Sequence, residues 1–180
     1  MYNDARSKKM VAVINCILNH NARDDSWAKY PGINYEVVDI LKKHGVGIIQ
    51  MPCPEMTVLG LPRTREPGTS ILTALDTPEG RARCEELSTF VVDEIEEYIR
   101  NGFKVIAILG GDVESPGCAV PAHKTAMKPE EKEHFGVFIG VLLENLRKRG
   151  IEIPIRGIRD SARATLDEDL QWLDETLAQS

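Results

Sequence analysis

Cys16, Cys53 and Cys118 each stand just beyond a short apolar, β-branched run: Met10-Val-Ala-Val-Ile14, Val46-Gly-Ile-Ile-Gln50 and Phe103-Lys-Val-Ile-Ala-Ile-Leu109. Runs of this kind suit buried parallel strands, and open α/β sheets bind ligands beyond the carboxyl ends of their strands. Three thiols delivered there from separate strands offer three soft ligands to a metal or cluster with one open position. A lone cysteine is more often a small packing hydrophobe. Three at equivalent topological positions favour ligation. Cys84 differs, because it shares one face of a helical pattern with Leu87, Val91, Ile95 and Tyr98 and therefore reads as core.

Soft thiolates select zinc, copper(I) or iron–sulfur clusters. The chain has no Cys-x-x-Cys pair of the kind that marks many zinc sites, and a Cys3His zinc site drawing on His20 or His123 stays open without a spacing signal. A cluster held by three cysteines would leave one iron able to act as a Lewis acid on a substrate atom. Glu55, two residues after Cys53, suits a general base or a water-orienting carboxylate, and equally a loop cap that accepts backbone N–H groups. Ser115 can donate to a leaving sulfur, although Ser-Pro also starts turns. Arg63 and Arg65, with Arg23, match phosphate oxygens, while solvated loop arginines are the commoner case. Gly110-Gly111-Asp112 lacks the glycine pattern of a dinucleotide fingerprint.

The elements that must position these residues follow from periodicity and punctuation. Met10–Ile14 is the first expected strand, followed by a polar loop from Asn19 to Gly32 and a helix over Tyr35–His44 that stops at Gly45. Val46–Gln50 is the second strand. Met51–Asp76 shows no convincing period and is expected to be a long loop. Thr77-Pro78 opens a helix that runs to about Arg100. Phe103–Leu109 is the third strand, and Gly110–Met127 a second long loop. Lys128-Pro129-Glu130-Glu131 reads as a helix start ahead of the apolar body Phe135–Leu146. Ile153–Ile158 is a fourth strand placed at an edge by Pro154, and Thr165 with Glu168 fits a capping box for a helix through Leu177. The expectation is one α/β domain over residues 1–180: a doubly wound, Rossmann-like or flavodoxin-like parallel sheet of about four strands with helices on both faces.

Composition narrows the function classes. The 180 residues carry a formal charge of −6, which argues against long nucleic acid as a partner. No apolar run is long enough to span a bilayer, and Met1–Lys9 is polar with too short an apolar run behind it for a secretory signal. A cytoplasmic setting with reduced thiols is expected, and the sequence is silent on oligomeric state.

Cys16-Ile-Leu-Asn-His-Asn-Ala-Arg23-Asp-Asp25 resembles the opening motif of the thiouracil desulfidase family, in which Cys-Leu-Leu-Gly is followed by Arg and Asp at these spacings. Cys53-Pro54-Glu55 and Gly60-Leu61-Pro62 with Arg65 resemble the family's second motif, and Ser115-Pro116-Gly117-Cys118 its third, Ser-Pro-Ser-Cys. Gly136-Val137 and Arg149-Gly150-Ile151 look like its final helix and strand, so the resemblance covers roughly residues 10 to 155. It implies a [4Fe–4S] cluster on Cys16, Cys53 and Cys118, with the open iron abstracting sulfur from a thiolated pyrimidine base, nucleoside or nucleotide. Glu55 and Ser115 would be the catalytic polar groups, and Arg23, Asp25 and Arg65 would recognise substrate. Asn19, Gly117 and Ala119 depart from the family pattern, and Gly110-Gly111-Asp112-Val113-Glu114 stands where a lysine is usual. The other readings that stay open are a zinc-binding hydrolase or structural zinc domain, and a non-catalytic nucleotide-binding module.

Overall fold

The computed structural model describes residues 4–121 and 134–180. Its centre is a four-stranded, wholly parallel sheet of β1 (Lys9–Ile14), β2 (Gly47–Met51), β3 (Lys104–Gly110) and β4 (Ile155–Gly157), in the order β2-β1-β3-β4. β1 and β3 are near-continuous hydrophobic runs because helices cover both of their faces. β4 is the edge that Pro154 foretells.

Between strands run α1 (Asn15–Leu18), α2 (Tyr35–Lys43), α3 (Pro54–Leu59), α4 (Ile71–Leu75), α5 (Pro78–Arg100) and α6 (Val137–Lys148), and α7 (Arg163–Ala178) follows β4. α5 packs against α6 and α2 against α7, one pair on each face, which is the doubly wound arrangement. β1 leads leftward to β2, whereas β2 crosses back to β3. The switch point therefore lies between the carboxyl ends of β1 and β3, where a crevice opens for ligand.

Local chemistry sets the element ends. Asn34 Oδ1 accepts the Val37 N–H at 3.2 Å to start α2, and Thr77 Oγ1 accepts the Gly80 N–H at 3.0 Å to start α5. Cys84 is fully buried on α5.

Two expectations are corrected. Met51–Asp76 is not structureless: it contains α3 and α4, whose six and five residues are too short to display a helical period. The capping box at Thr165 and Glu168 does not form. α7 begins three residues earlier, its cap position Ala162 has no side-chain acceptor, and Thr165 Oγ1 instead donates to the Arg159 and Ala162 carbonyls, both at 2.9 Å. α6 is described from Val137, and the expected helix start at Lys128 lies outside the described residues. No helix among the described residues is long and apolar enough to cross a membrane.

Candidate functional site

Cys16 sits in the first turn of α1, immediately after β1. Cys53 is the cap of α3, where its sulfur accepts the Met56 N–H at 3.4 Å and Pro54 occupies the first helical position that needs no donor. Cys118 follows β3 in a tight turn: its N–H donates to Ser115 Oγ at 3.2 Å, and its carbonyl accepts the Gly111 N–H at 2.7 Å. The three thiols line one cavity of about 370 Å³ beyond the carboxyl edge of the sheet, together with Glu55, Ser115, Arg23 and Arg65.

The loop bearing Cys118 is held from two sides. The N–H groups of Val137 and Phe138, at the start of α6, donate to the carbonyls of Pro116 and Gly117, both at 3.0 Å, so the helix's orphan donors are satisfied by the loop. This approach is so close that a Cβ on Gly136 would stand 2.4 Å from the Cys118 nitrogen. From the other side Glu55 Oε1 accepts the Gly117 N–H at 3.3 Å.

Glu55 is itself fixed by Arg63, whose Nε donates to Glu55 Oε2 at 3.2 Å. The Arg63 side chain is 1% exposed, with further bonds to the carbonyls of Gly60, Leu61 and Ala22 and a contact from Nη2 to Cys53 Sγ at 3.7 Å. A buried guanidinium thus ties together the second thiol, the loop after α3 and the loop after the first thiol. In the sequence alone Arg63 reads as a solvated loop arginine. Its burial follows from acceptors that converge only in three dimensions, and nothing local in the chain announces them.

Arg23 makes a second such knot. Its two Nη atoms grip Asp160 at 2.8 and 2.7 Å in a bidentate fork, and its charge pulls on the Cys16 thiol. Buried Asp160 further accepts from Asn34 Nδ2 at 3.5 Å, with His20 Nε2 at the same distance. His20 Nδ1 accepts the N–H groups of Lys29 and Tyr30 at 3.2 and 3.3 Å, so the ring is held neutral with its proton on Nε2. Burial, reinforced by the Arg23 charge, lowers the His20 pKa to about 4. Asp160 was missed in the sequence, although its place just beyond the fourth strand is where the strand-end rule looks.

Of the remaining expected residues, Arg65 lines the cavity and turns Nε and Nη1 onto the carbonyls of Thr69 and Arg63 at 2.8 and 2.7 Å. Asp25 is exposed and does not line the cavity; its neighbour Asp24 does. His20 spends Nδ1 on backbone donors, and His123 lies outside the described residues.

All three thiols are held in the protonated form. Burial pushes Cys16 up to about 11 against the pull of Arg23, raises Cys53 against the Met56 N–H and the Arg63 charge, and lifts Cys118 well above the ordinary thiol range. Cys16 and Cys53 add to the shift of Cys118, because three thiolates around one cavity repel. Unaided, the trio is a poor nucleophile; a positive centre between the sulfurs would reverse that balance. Among the described residues no group of three or more His, Cys, Asp or Glu side chains is placed to hold a single metal ion.

No protein-family model matches the chain, and no solved structure matches it. The chain is similar to an uncharacterized protein of Methanocaldococcus jannaschii, with 35% identity over 106 residues that make up 57% of this chain and 64% of that protein. The match therefore spans less than two thirds of the relative's length.

Proposed function

We propose that the protein is an iron–sulfur-dependent desulfidase that replaces the sulfur of a small thiolated pyrimidine with oxygen. The observation that carries this reading is the lining of one cavity by Cys16, Cys53 and Cys118, drawn from the ends of three parallel strands. The donor set suits a [4Fe–4S] cluster in its chemistry: three soft thiols, none paired in a disulfide, line one cavity. The Arg23 charge near Cys16, and the Arg63 and Met56 N–H donors at Cys53, would stabilise bound thiolates. A bound cluster would supply a thiophilic Lewis acid for the substrate sulfur.

The net reaction is a hydrolysis: water's oxygen becomes bonded to the ring carbon, the carbon–sulfur bond breaks, and sulfide leaves with the protons of water. Electrons balance without an external oxidant or reductant. Glu55 is oriented by Arg63 and Gly117, and each carboxylate oxygen retains a lone pair able to accept a proton from water. Ser115 accepts from the Cys118 N–H, which leaves its own O–H to donate to the departing sulfur. The apolar wall of Trp27, Ile71, Leu72 and Pro116 suits a flat heterocycle.

The test is anaerobic reconstitution with iron and sulfide, followed by an assay of sulfide release from thiouracils and thiouridines by wild type, Glu55→Gln and Ser115→Ala with iron content matched. Cluster-replete wild type should release sulfide and the variants far less. Iron-free protein after reconstitution, or cluster-replete protein inert on every thiolated pyrimidine, would end the proposal.

A further inference from the structure

We infer that the cavity admits an unphosphorylated base or nucleoside and rejects the corresponding 5′-monophosphate, with Asp24, Asp112 and Glu114 as the residues that enforce the choice. The inference rests on the desulfidase reading for the reacting group and on the charge balance of the cavity for the selectivity.

Phosphate recognition needs guanidinium or ammonium groups with free donors, or an unoccupied helix N-terminus. The cavity wall holds three arginines, Arg23, Arg63 and Arg65, and each is engaged. Both Nη atoms of Arg23 lie on the two oxygens of Asp160. Arg63 spends Nε, Nη1 and Nη2 on Glu55 and three backbone carbonyls. Arg65 turns Nε and Nη1 onto the loop's own carbonyls. Extracting Arg63 for a phosphate would release Glu55, and through it the loop that carries Cys118, while extracting Arg23 would leave Asp160 buried without its ion-pair partner. The starts of α3 and α4 are capped by the Cys53 and Ser70 side chains, and α1, which has no side-chain cap, is a single four-residue turn.

The remaining charge is unfavourable to an anion. Arg23 is neutralised by Asp160 and Arg63 by Glu55, which among the described residues leaves Arg65 alone against the carboxylates of Asp24, Asp112 and Glu114 on the same wall. Asp112 accepts the Ser161 hydroxyl, a neutral partner that keeps the carboxylate in place without cancelling its charge. The Lys29 ammonium stands 5.7 Å over the Trp27 ring and is not part of the cavity wall. Among the described residues, a dianionic phosphate would enter against a net negative wall with no guanidinium whose two Nη atoms are both free. A neutral ring meets Trp27, Ile71, Leu72 and Pro116 and loses nothing.

Two arms test the inference. In the first, reconstituted holoprotein is assayed anaerobically with 4-thiouridine and 4-thiouridine 5′-monophosphate. Wild type should show a kcat/KM for the monophosphate lower by about tenfold, Asp24→Asn combined with Glu114→Gln should raise the monophosphate-to-nucleoside ratio, and added salt should narrow the gap. A monophosphate turned over as well as the nucleoside overturns the inference. In the second arm, uridine and uridine 5′-monophosphate are titrated against Trp27 fluorescence in a Trp172→Phe background. Preference for uridine supports the selectivity even if no sulfide is ever released, an outcome that would sink the desulfidase reading alone. Equal or tighter binding of the monophosphate, or no binding of uridine, overturns the inference.

Discussion

Glu55 Oε1 accepts the backbone N–H of Gly117 at 3.3 Å, so the carboxylate that follows the second thiol fixes the loop that carries the third. The contact is possible because residue 117 has no side chain: a Cβ there would stand 2.6 Å from Pro54 Cγ and 3.5 Å from Glu55. Gly117→Ala should therefore push the Ser115–Cys118 turn away from α3, cost about 1–3 kcal/mol through overpacking, and lower iron uptake on reconstitution. Urea denaturation and iron analysis measure the two effects. Full stability with full iron loading would show that the turn is not held where Glu55 meets it.

Arg63 should be the most costly single residue of the site to lose. Its guanidinium serves Glu55, three carbonyls and Cys53 Sγ from a buried position, so Arg63→Ala strands a carboxylate and several acceptors. Breaking one side of a buried pair typically costs about 3–5 kcal/mol. Arg63→Lys should recover little, since an ammonium cannot reproduce the planar fork. In a double-mutant cycle with Glu55→Gln the two losses should be less than additive; strict additivity would mean that the pair does not act as a unit.

Cys84 separates packing from ligation. It is fully buried on α5, away from the cavity wall, and burial pushes its thiol up to about 11. Cys84→Ala should cost about 1 kcal/mol through lost contacts and leave iron content unchanged. Cys118→Ser, by contrast, should abolish stable loading. Equal iron loss in the two variants would remove the distinction.

The sheet and its helices were legible because their signals are local: β-branched runs for strands, Thr77 as a cap, Gly45 as a terminator. The thiols were legible for a related reason, since strand-end position follows once the strands are read. α3 and α4 were not, being shorter than two turns with a thiol capping one of them. Nor were the knots around Arg63 and Asp160, because Arg23 and Asp160 are 137 positions apart and Arg63 and Ala22 are 41 apart. The exchange of Asp25 for Asp24 on the cavity wall is finer still. The backbone turns at Ser26, whose φ is +68°, and a one-residue choice of that kind is set by the folded loop and not by composition.

The pH dependence of stability follows from His20. Burial and the Arg23 charge lower its pKa from the ordinary 6.5 to about 4, so between these values the unfolded chain binds a proton that the folded chain refuses. Stability from this group is complete above about pH 6.5 and is lost progressively as pH falls towards 4, by roughly 3 kcal/mol at about 1.4 kcal/mol per pKa unit. His20→Asn keeps an acceptor near the Lys29 and Tyr30 N–H groups but cannot titrate. Urea midpoints measured at pH 7.5, 6, 5 and 4.5, about the window in which the ring would charge, should fall more steeply for wild type than for the variant. Parallel curves would mean that His20 charges in the folded protein as readily as in the unfolded one, and that burial, the Arg23 charge and the two backbone donors do not hold the ring neutral against the pull of Asp160.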